Sequence, residues 1–162
     1  MGDAMSTAPV ARACDDAEAL RFFGEQVTIL AAGEETARRL AVVHHEAPEA
    51  TSPPWHVQPD DDETFYVLDG RMTFWSGDPE RPVAEGGPGT FVFVPRGVPH
   101  SFRVDSPTAR FLTVHTPSGH EAFYRAAGGP VEEPAGSEPD IARVEAAGRE
   151  HGVRLLGPPP SA

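Results

Sequence analysis

Two stretches decide the fold: WHVQPDDDETFYVLDG at residues 55–70 and GTFVFVPRGVPH at residues 89–100. In both, short runs of aromatic and β-branched residues are bounded by Gly, Pro and Asp, a pattern typical of strands separated by turns. The Asp-Gly pair at 69–70 tolerates the positive φ angles of a tight turn. We therefore expect a hairpin that joins a strand over 63–68 to a strand over 71–75.

The same pattern extends outward over most of the chain. The 162 residues include 16 Gly and 18 Pro, a density that argues against a helical bundle. Many short strands at this spacing predict an all-β sandwich or barrel. The segment 91–94 is apolar on both faces, so we expect it to be central or covered by a second layer. The expected strands are residues 26–30, 39–46, 63–68, 71–75, 90–94, 101–104 and 110–116.

The two ends of the chain differ from this middle part. Residues 1–20 are small, polar and acidic, and we interpret them as a flexible leader. Residues 21–117 form the predicted barrel. Residues 118–162 predict one or two short helices, the first opened by a capping box of Ser118 and Glu121, followed by a Pro-rich extended tail.

Charge and cysteine content restrict the partners and the compartment. Thirteen basic against 25 acidic residues give a formal net charge of −12, which repels phosphate backbones and anionic lipid head groups. We therefore expect neither nucleic acid nor a membrane as a partner. The single Cys14 cannot form an intramolecular disulfide, and no basic segment followed by an apolar run marks a secretory signal. A cytoplasmic location is the simplest expectation.

Four side chains in the two stretches are candidate metal ligands. His56 and Gln58 share one face of an extended segment, Glu63 begins the next strand, and His100 follows a Pro-Gly turn. Two imidazoles, a carboxylate and an amide oxygen make a plausible site for a divalent ion. Simpler roles stay open: the histidines can bond backbone groups, Glu63 can continue the acidic run 60–62, and Gln58 can bond a backbone group or water.

The spacing of these residues resembles the two motifs of the cupin family. In the first motif, His-X-His is followed after three or four residues by Glu and, six residues later, by Gly; Glu63 and Gly70 stand at these intervals. In the second, Gly, five residues, Pro-X-Gly, two residues and His match Gly89 to His100. The family's first motif opens with a Gly, where this chain has Ala50, and its second motif closes with an Asn after the His, where this chain has Val104. Neither position is a metal ligand in the family. The third departure is Gln58, which stands where the family has its second His ligand.

The resemblance implies a double-stranded β-helix, that is, a jelly-roll barrel, and a metal in its mouth. The ligands would be His56, Glu63 and His100, with Gln58 as a fourth. Because an amide oxygen suits borderline transition metals less well than an imidazole, we expect a weaker site, and the sequence does not choose among Fe, Ni, Mn, Co and Zn. Without Gln58, two His and one carboxylate remain, the set that non-haem iron oxygenases use.

The chain looks most like single-domain, quercetin 2,3-dioxygenase-like cupins. This resemblance implies a metal-dependent oxygenase of an aromatic, flavonol- or polyketide-like small molecule, with Glu63 as ligand and base. One alternative is a natural-product cyclase or isomerase that uses the metal as a Lewis acid; another is a small-molecule-binding cupin without catalysis. A homodimer is expected both from the resemblance and from outward apolar residues such as Tyr66 and Leu68.

The remaining histidines are less informative. His44 and His45 are adjacent, so on a strand one faces inward and the other outward. His115, near a strand end, is a candidate for lining the cavity. His120 is expected to be exposed.

Overall fold

A computed structural model describes residues 8–161 of the chain. The described part contains eleven strands and two α-helices, preceded by a single 3-10 turn. None of its helices has the length and apolar character that crossing a membrane requires. The elements, in chain order, are β1 (Glu18–Phe22), β2 (Glu25–Ala31), β3 (Ala41–Pro48), β4 (Trp55–Val57), β5 (Asp62–Asp69), β6 (Met72–Ser76), β7 (Pro82–Gly86), β8 (Phe91–Val94), β9 (His100–Val104), β10 (Thr108–Thr116), α1 (His120–Ala127), α2 (Ile141–His151) and β11 (Arg154–Gly157).

The strands form two antiparallel sheets that face each other. Sheet A has the order β1-β2-β3-β10-β5-β8, and sheet B has the order β11-β4-β9-β6-β7. Side chains alternate across the strands, so β5 buries Glu63, Phe65 and Val67 while Tyr66 faces outward. The inner faces enclose an apolar core at one end of the barrel, where Phe65, Phe74 and Phe111 pack together. This all-β architecture confirms the predicted fold class.

The turn at Asp69 and Gly70 does not close a hairpin, and that expectation was wrong. β5 pairs with β10 and β8, whereas β6 pairs with β7 and β9 in the other sheet. Gly70 does adopt a positive φ of 83°, and a Cβ on it would come within 2.3 Å of the Thr108 carbonyl oxygen. Gly70 is therefore required by a close backbone approach where the chain crosses from one sheet to the other. Residue type alone does not distinguish such a crossing turn from a hairpin turn.

The expectation that 91–94 is central or covered was also wrong for the single chain. β8 is the last strand of sheet A, and its outward Phe91 and Phe93 are 62% and 51% exposed. Val92 and Val94 face the core and are buried. Tyr66 and Leu68 of β5 are also exposed, at 45% and 38%. An apolar patch therefore lies on the outer face of β5 and β8.

The chain ends are more structured than the sequence suggested. Residues 18–20 of the predicted leader belong to strand β1 (Glu18–Phe22), while the leader's residues 1–7 lie outside the described part. Three other short strands, β4, β7 and β11, were not among those expected; β11 pairs with β4 and leads into the Pro-rich tail. The helix α1 begins after Gly119 without a side-chain cap, so the predicted capping by Ser118 was wrong, although the Glu121 carboxylate does accept from the Gly119 amide.

Candidate metal centre

Three of the four predicted ligands meet at one point between the sheets. His56 of β4 and His100 of β9 are direct cross-strand partners, and Glu63 of β5 lies opposite them in sheet A. One ligand atom of each lies within 4.8 Å of the others. Glu63 and His100 are 4% and 3% exposed, and His56 is half-buried. The expected convergence of these side chains is therefore present.

The turn before His100 is tied to the strand that carries the first histidine. The Gly97 amide donates to the Gln58 carbonyl at 2.9 Å, and Gly97 adopts a φ of 78° that favours glycine. Arg96 adds an ion pair to Asp62 at 3.1 Å. These contacts explain why the Pro-X-Gly turn of the second stretch brings His100 beside His56 of the first stretch.

Gln58 turns its side-chain oxygen toward His56. The amide Nε2 of Gln58 donates to Asp61 Oδ2 at 3.0 Å, which fixes which end of the amide faces inward. Its Oε1 then lies 3.3 Å from His56 Nε2. Because His56 Nδ1 lies 2.8 Å from the Pro54 carbonyl, which can only accept, that nitrogen carries the proton of the neutral ring. Two hydrogen-bond acceptors therefore face each other.

His100 faces Glu63 across the site. Its Nδ1 lies 3.2 Å from the Val98 carbonyl, which can only accept, and its Nε2 lies 2.9 Å from Glu63 Oε2. Both ring nitrogens therefore face acceptors, and the hydrogen bond to Glu63 needs a proton on Nε2. A cation held by His56, Glu63, His100 and the Gln58 amide oxygen would take the place of that proton.

Burial and neighbouring charges determine the protonation of His56 and Glu63. Burial, reinforced by His100, lowers the pKa of His56 to about 4, so the ring is neutral at pH 7. Burial opposes ionisation of Glu63, but His115 and His100 outweigh burial and hold the pKa of this carboxyl well below its usual range. The site thus offers the negative charge of Glu63 and the neutral ring of His56, a combination that suits a divalent ion.

Behind these ligands lies a second buried pair, Asp61 and His115, of which only His115 was named from the sequence. Asp61 Oδ2 accepts from both Gln58 and His115 Nδ1, the latter at 2.8 Å. Asp61 is 7% exposed, so it is not part of a solvated acidic run. Burial lowers the pKa of His115, but Glu63 and Asp61 outweigh it, and the net shift is upward. His115 was named from its position near a strand end, whereas no sequence signal marked Asp61.

A cavity opens beside the four side chains, and it has aromatic walls. Its lining includes residues of β1, α1, α2 and β11 as well as the candidate ligands. His120 lies on this wall at 7% exposure, so the expectation of an exposed side chain was wrong. It stacks on His115 with ring centroids 4.5 Å apart and meets Tyr124 edge-on at 4.6 Å. The packing of α1 over the barrel mouth buries His120. The short helix pattern in the sequence did not predict this packing.

Comparison with known proteins places this geometry in a family. The cupin domain model matches residues 42–115, a range that contains all four candidate ligands. A polyketide cyclase, RemF from Streptomyces resistomycificus, is 30% identical, with a TM-score of 0.57 over 67% of this chain and 79% of that one. The chain belongs to the cupin family.

Two further similarities are informative for this cupin. It is 36% identical over 110 residues to quercetin 2,3-dioxygenase of Bacillus subtilis strain 168, which covers 67% of this chain but 32% of that enzyme. The chain thus spans about a third of the length of this relative. The Streptomyces nucleoside dehydratase Pac13 shares the fold at 13% identity, with a TM-score of 0.56 over 68% of this chain and 83% of that one. Together the comparisons support a cupin enzyme or metal-binding protein.

Proposed function

We propose that this cupin is a metal-dependent oxygenase that acts on an aromatic small molecule of the flavonol or polyketide type. The observation that carries the proposal is the convergence of His56, Glu63 and His100, whose ligand atoms lie within 4.8 Å of one another. Beside them, the acceptors His56 Nε2 and Gln58 Oε1 face each other at 3.3 Å, an arrangement that is costly without a donor and that a cation would relieve. The similarity to quercetin 2,3-dioxygenase supports the reaction class.

His56, Glu63 and His100 would hold the ion, with Gln58 as the fourth ligand through Oε1. We propose coordination by Gln58 because its Nε2 is already committed to Asp61. One divalent transition metal, whether Fe, Ni, Mn, Co or Zn, would supply Lewis acidity and open coordination positions for an enolic or phenolic oxygen and for dioxygen.

Glu63 is assigned two tasks in this proposal. Its lowered pKa keeps it ionised, which provides the negative charge that a divalent ion needs. The same shift makes it a weak base, so it accepts a proton only from a substrate hydroxyl that is itself acidified at the site. The aromatic walls of the cavity would hold the flat ring system of the substrate and exclude water.

Oxygen uptake in the presence of a flavonol tests this proposal. The protein, loaded in turn with Fe(II), Ni(II), Mn(II), Co(II) or Zn(II), is expected to consume dioxygen in step with quercetin for at least one metal. Glu63→Gln and His100→Ala should abolish the uptake, whereas Glu46→Gln, an exposed acid of β3, should not. Loss of quercetin without oxygen uptake, or no reaction with any metal, would contradict the oxygenase.

A polyketide cyclase or isomerase is the second candidate. The chain covers 79% of RemF, against 32% of the dioxygenase, so the similarity to the cyclase extends over more of that protein. In that case the same four side chains would hold an ion used only as a Lewis acid. Conversion of a polyketide phenol that continues under strict anaerobiosis would favour this candidate. A cupin that binds the phenol but turns over nothing would favour the non-catalytic alternative.

We also propose that the protein is a cytoplasmic homodimer. The location is supported by the single cysteine, Cys14. The dimer is supported by the exposed apolar patch of Tyr66, Leu68, Phe91 and Phe93 on one face of sheet A.

A further inference from the structure

Glu25 is a buried acid on the wall of the same cavity, and the metal centre makes no use of it. It begins β2, is 2% exposed, and lines the cavity together with Glu63 and His100. One of its carboxylate oxygens, Oε1, lies 2.9 Å from His45 Nδ1. The other, Oε2, is buried and has no hydrogen-bond partner among the described residues.

His45, the partner of Glu25, is held in one orientation by its own contacts. The His45 ring stacks on Phe111 at 4.4 Å with an interplanar angle of 6°. Its Nε2 lies 3.0 Å from Thr113 Oγ1, so both ring nitrogens are engaged. Because His45 is locked, it fixes Oε1, and turning the carboxylate would only exchange one unpaired oxygen for the other.

A buried carboxylate oxygen without a hydrogen-bond donor lowers the stability of the fold unless a group from outside the protein donates to it. We infer that Glu25 Oε2 accepts a hydrogen bond from a hydroxyl group of the bound small molecule, which makes Glu25 a second polar anchor of the cavity. This inference rests on the proposed function. Nothing in the sequence motifs pointed to Glu25, since it lies 31 positions before the first candidate ligand, His56.

The chemistry of the cavity narrows the class of ligand. The metal centre favours an oxygen that binds a cation, whereas Glu25 favours a hydrogen-bond donor. The apolar wall that lines the same cavity contains aromatic rings in edge-to-face contact, with Phe22 5.7 Å from Phe123 and 5.1 Å from Tyr124. The ligand is therefore a polyhydroxylated aromatic compound: one oxygen pair would bind the ion held by His56, Glu63 and His100, and a second, remote hydroxyl would donate to Glu25.

Two flavonols provide a matched pair of probes. Quercetin and 3-hydroxyflavone share the 3-hydroxy-4-keto pair that chelates a metal, but only quercetin carries hydroxyls elsewhere. Their affinities are measured under anaerobic conditions by fluorescence titration of the Zn(II)-loaded full chain. The variants are Glu25→Gln, which keeps an acceptor for His45, and Glu25→Asp as a second variant that keeps the charge. Glu46→Gln on the exposed face of β3 is the control.

The parent and Glu46→Gln are expected to bind quercetin about 10-fold or more tightly than 3-hydroxyflavone, because a hydrogen bond to a charged group is strong. Glu25→Gln should lose most of that preference while it binds 3-hydroxyflavone as the parent does, and Glu25→Asp should also lose part of it. Equal affinities in the parent, or an unchanged preference in both Glu25 variants, overturn the role of Glu25 and leave the metal centre intact. If the Zn(II)-loaded parent binds neither flavonol, the proposed substrate class fails, and the anchor fails with it.

Discussion

Asp61 holds the Gln58 side chain in the one orientation that turns its oxygen toward His56. The amide donates to Asp61 Oδ2 at 3.0 Å, and Oε1 faces His56 Nε2 at 3.3 Å. A glutamine that lacked such a partner could rotate its amide and present a donor instead. The departure from the cupin pattern at residue 58 is therefore accompanied by a contact that keeps an acceptor pointing into the site at this position.

If Asp61 acts through Gln58, the two residues are coupled. We expect Asp61→Ala to weaken Zn(II) binding about 10-fold, because it removes the hydrogen-bond partner of a proposed metal ligand. In a Gln58→Ala background, the same substitution should have little further effect on Zn(II) affinity. Competition with a chelator of known affinity measures the dissociation constants. Asp60→Ala, at an exposed neighbour, is the control and should leave Zn(II) affinity unchanged. Additive effects of the two alanine substitutions would show that Asp61 does not work through the amide.

The pH dependence of stability should report the buried imidazole of His56. Its pKa is lowered from 6.5 to about 4, so between these values the unfolded chain binds a proton that the folded chain does not. In the metal-free protein, the free energy of unfolding is then expected to fall as the pH drops from about 6.5 to 4, by at most about 3 kcal/mol from this residue. Urea unfolding of the parent and of His56→Asn across this range measures it. Identical pH profiles for the two proteins would contradict the assignment.

The C-terminal strand should support the metal centre. Leu155 pairs with His56 across β11 and β4 and lines the cavity, whereas its neighbour Leu156 is 48% exposed. We expect Leu155→Asp to lower the free energy of unfolding by about 1–3 kcal/mol and to weaken Zn(II) binding, because it places a charge in a partly apolar site. Leu156→Asp should change neither. Thermal unfolding and chelator competition on both variants decide the point; equal behaviour would refute a supporting role for β11.

The outer face of β5 and β8 should mediate self-association. Phe91 and Phe93 are more than half exposed, and a free monomer has no evident use for such a surface. We expect light scattering to give the mass of a dimer for the parent and of a monomer for the double variant Phe91→Glu, Phe93→Glu. Val83, which is 54% exposed on β7 of the other sheet, provides the control Val83→Glu, which should remain a dimer. A monomeric parent would remove the dimer proposal.

Much of the barrel could be predicted because its strands carry local signals. All seven expected strands are present within a few residues, since their alternation and turn residues are written in the sequence. The strands β4 and β11 have three and four residues and exist through pairing with each other and with β9, which no local pattern reveals. The hairpin expected at Gly70 failed for a related reason, because the choice of sheet depends on long-range pairing.

The candidate ligands could be located from spacing, but their surroundings could not. The interval from Glu63 to Gly70 and the Pro-X-Gly turn before His100 are fixed by the backbone path of the two strands, so they appear in the sequence. Asp61, His120 and Glu25 reach the site from a loop, a helix and a distant strand. Their positions depend on how these elements pack, which is a property of the whole core.

The most direct test of the metal centre is elemental analysis of the protein purified without chelator or added metal, beside Gln58→His and His100→Ala. The parent is expected to carry close to one equivalent of a divalent transition metal, His100→Ala to lose it, and Gln58→His to retain it with higher affinity because imidazole is the better ligand. A parent that is empty while Gln58→His fills would contradict coordination by Gln58 and favour a binding protein without a metal.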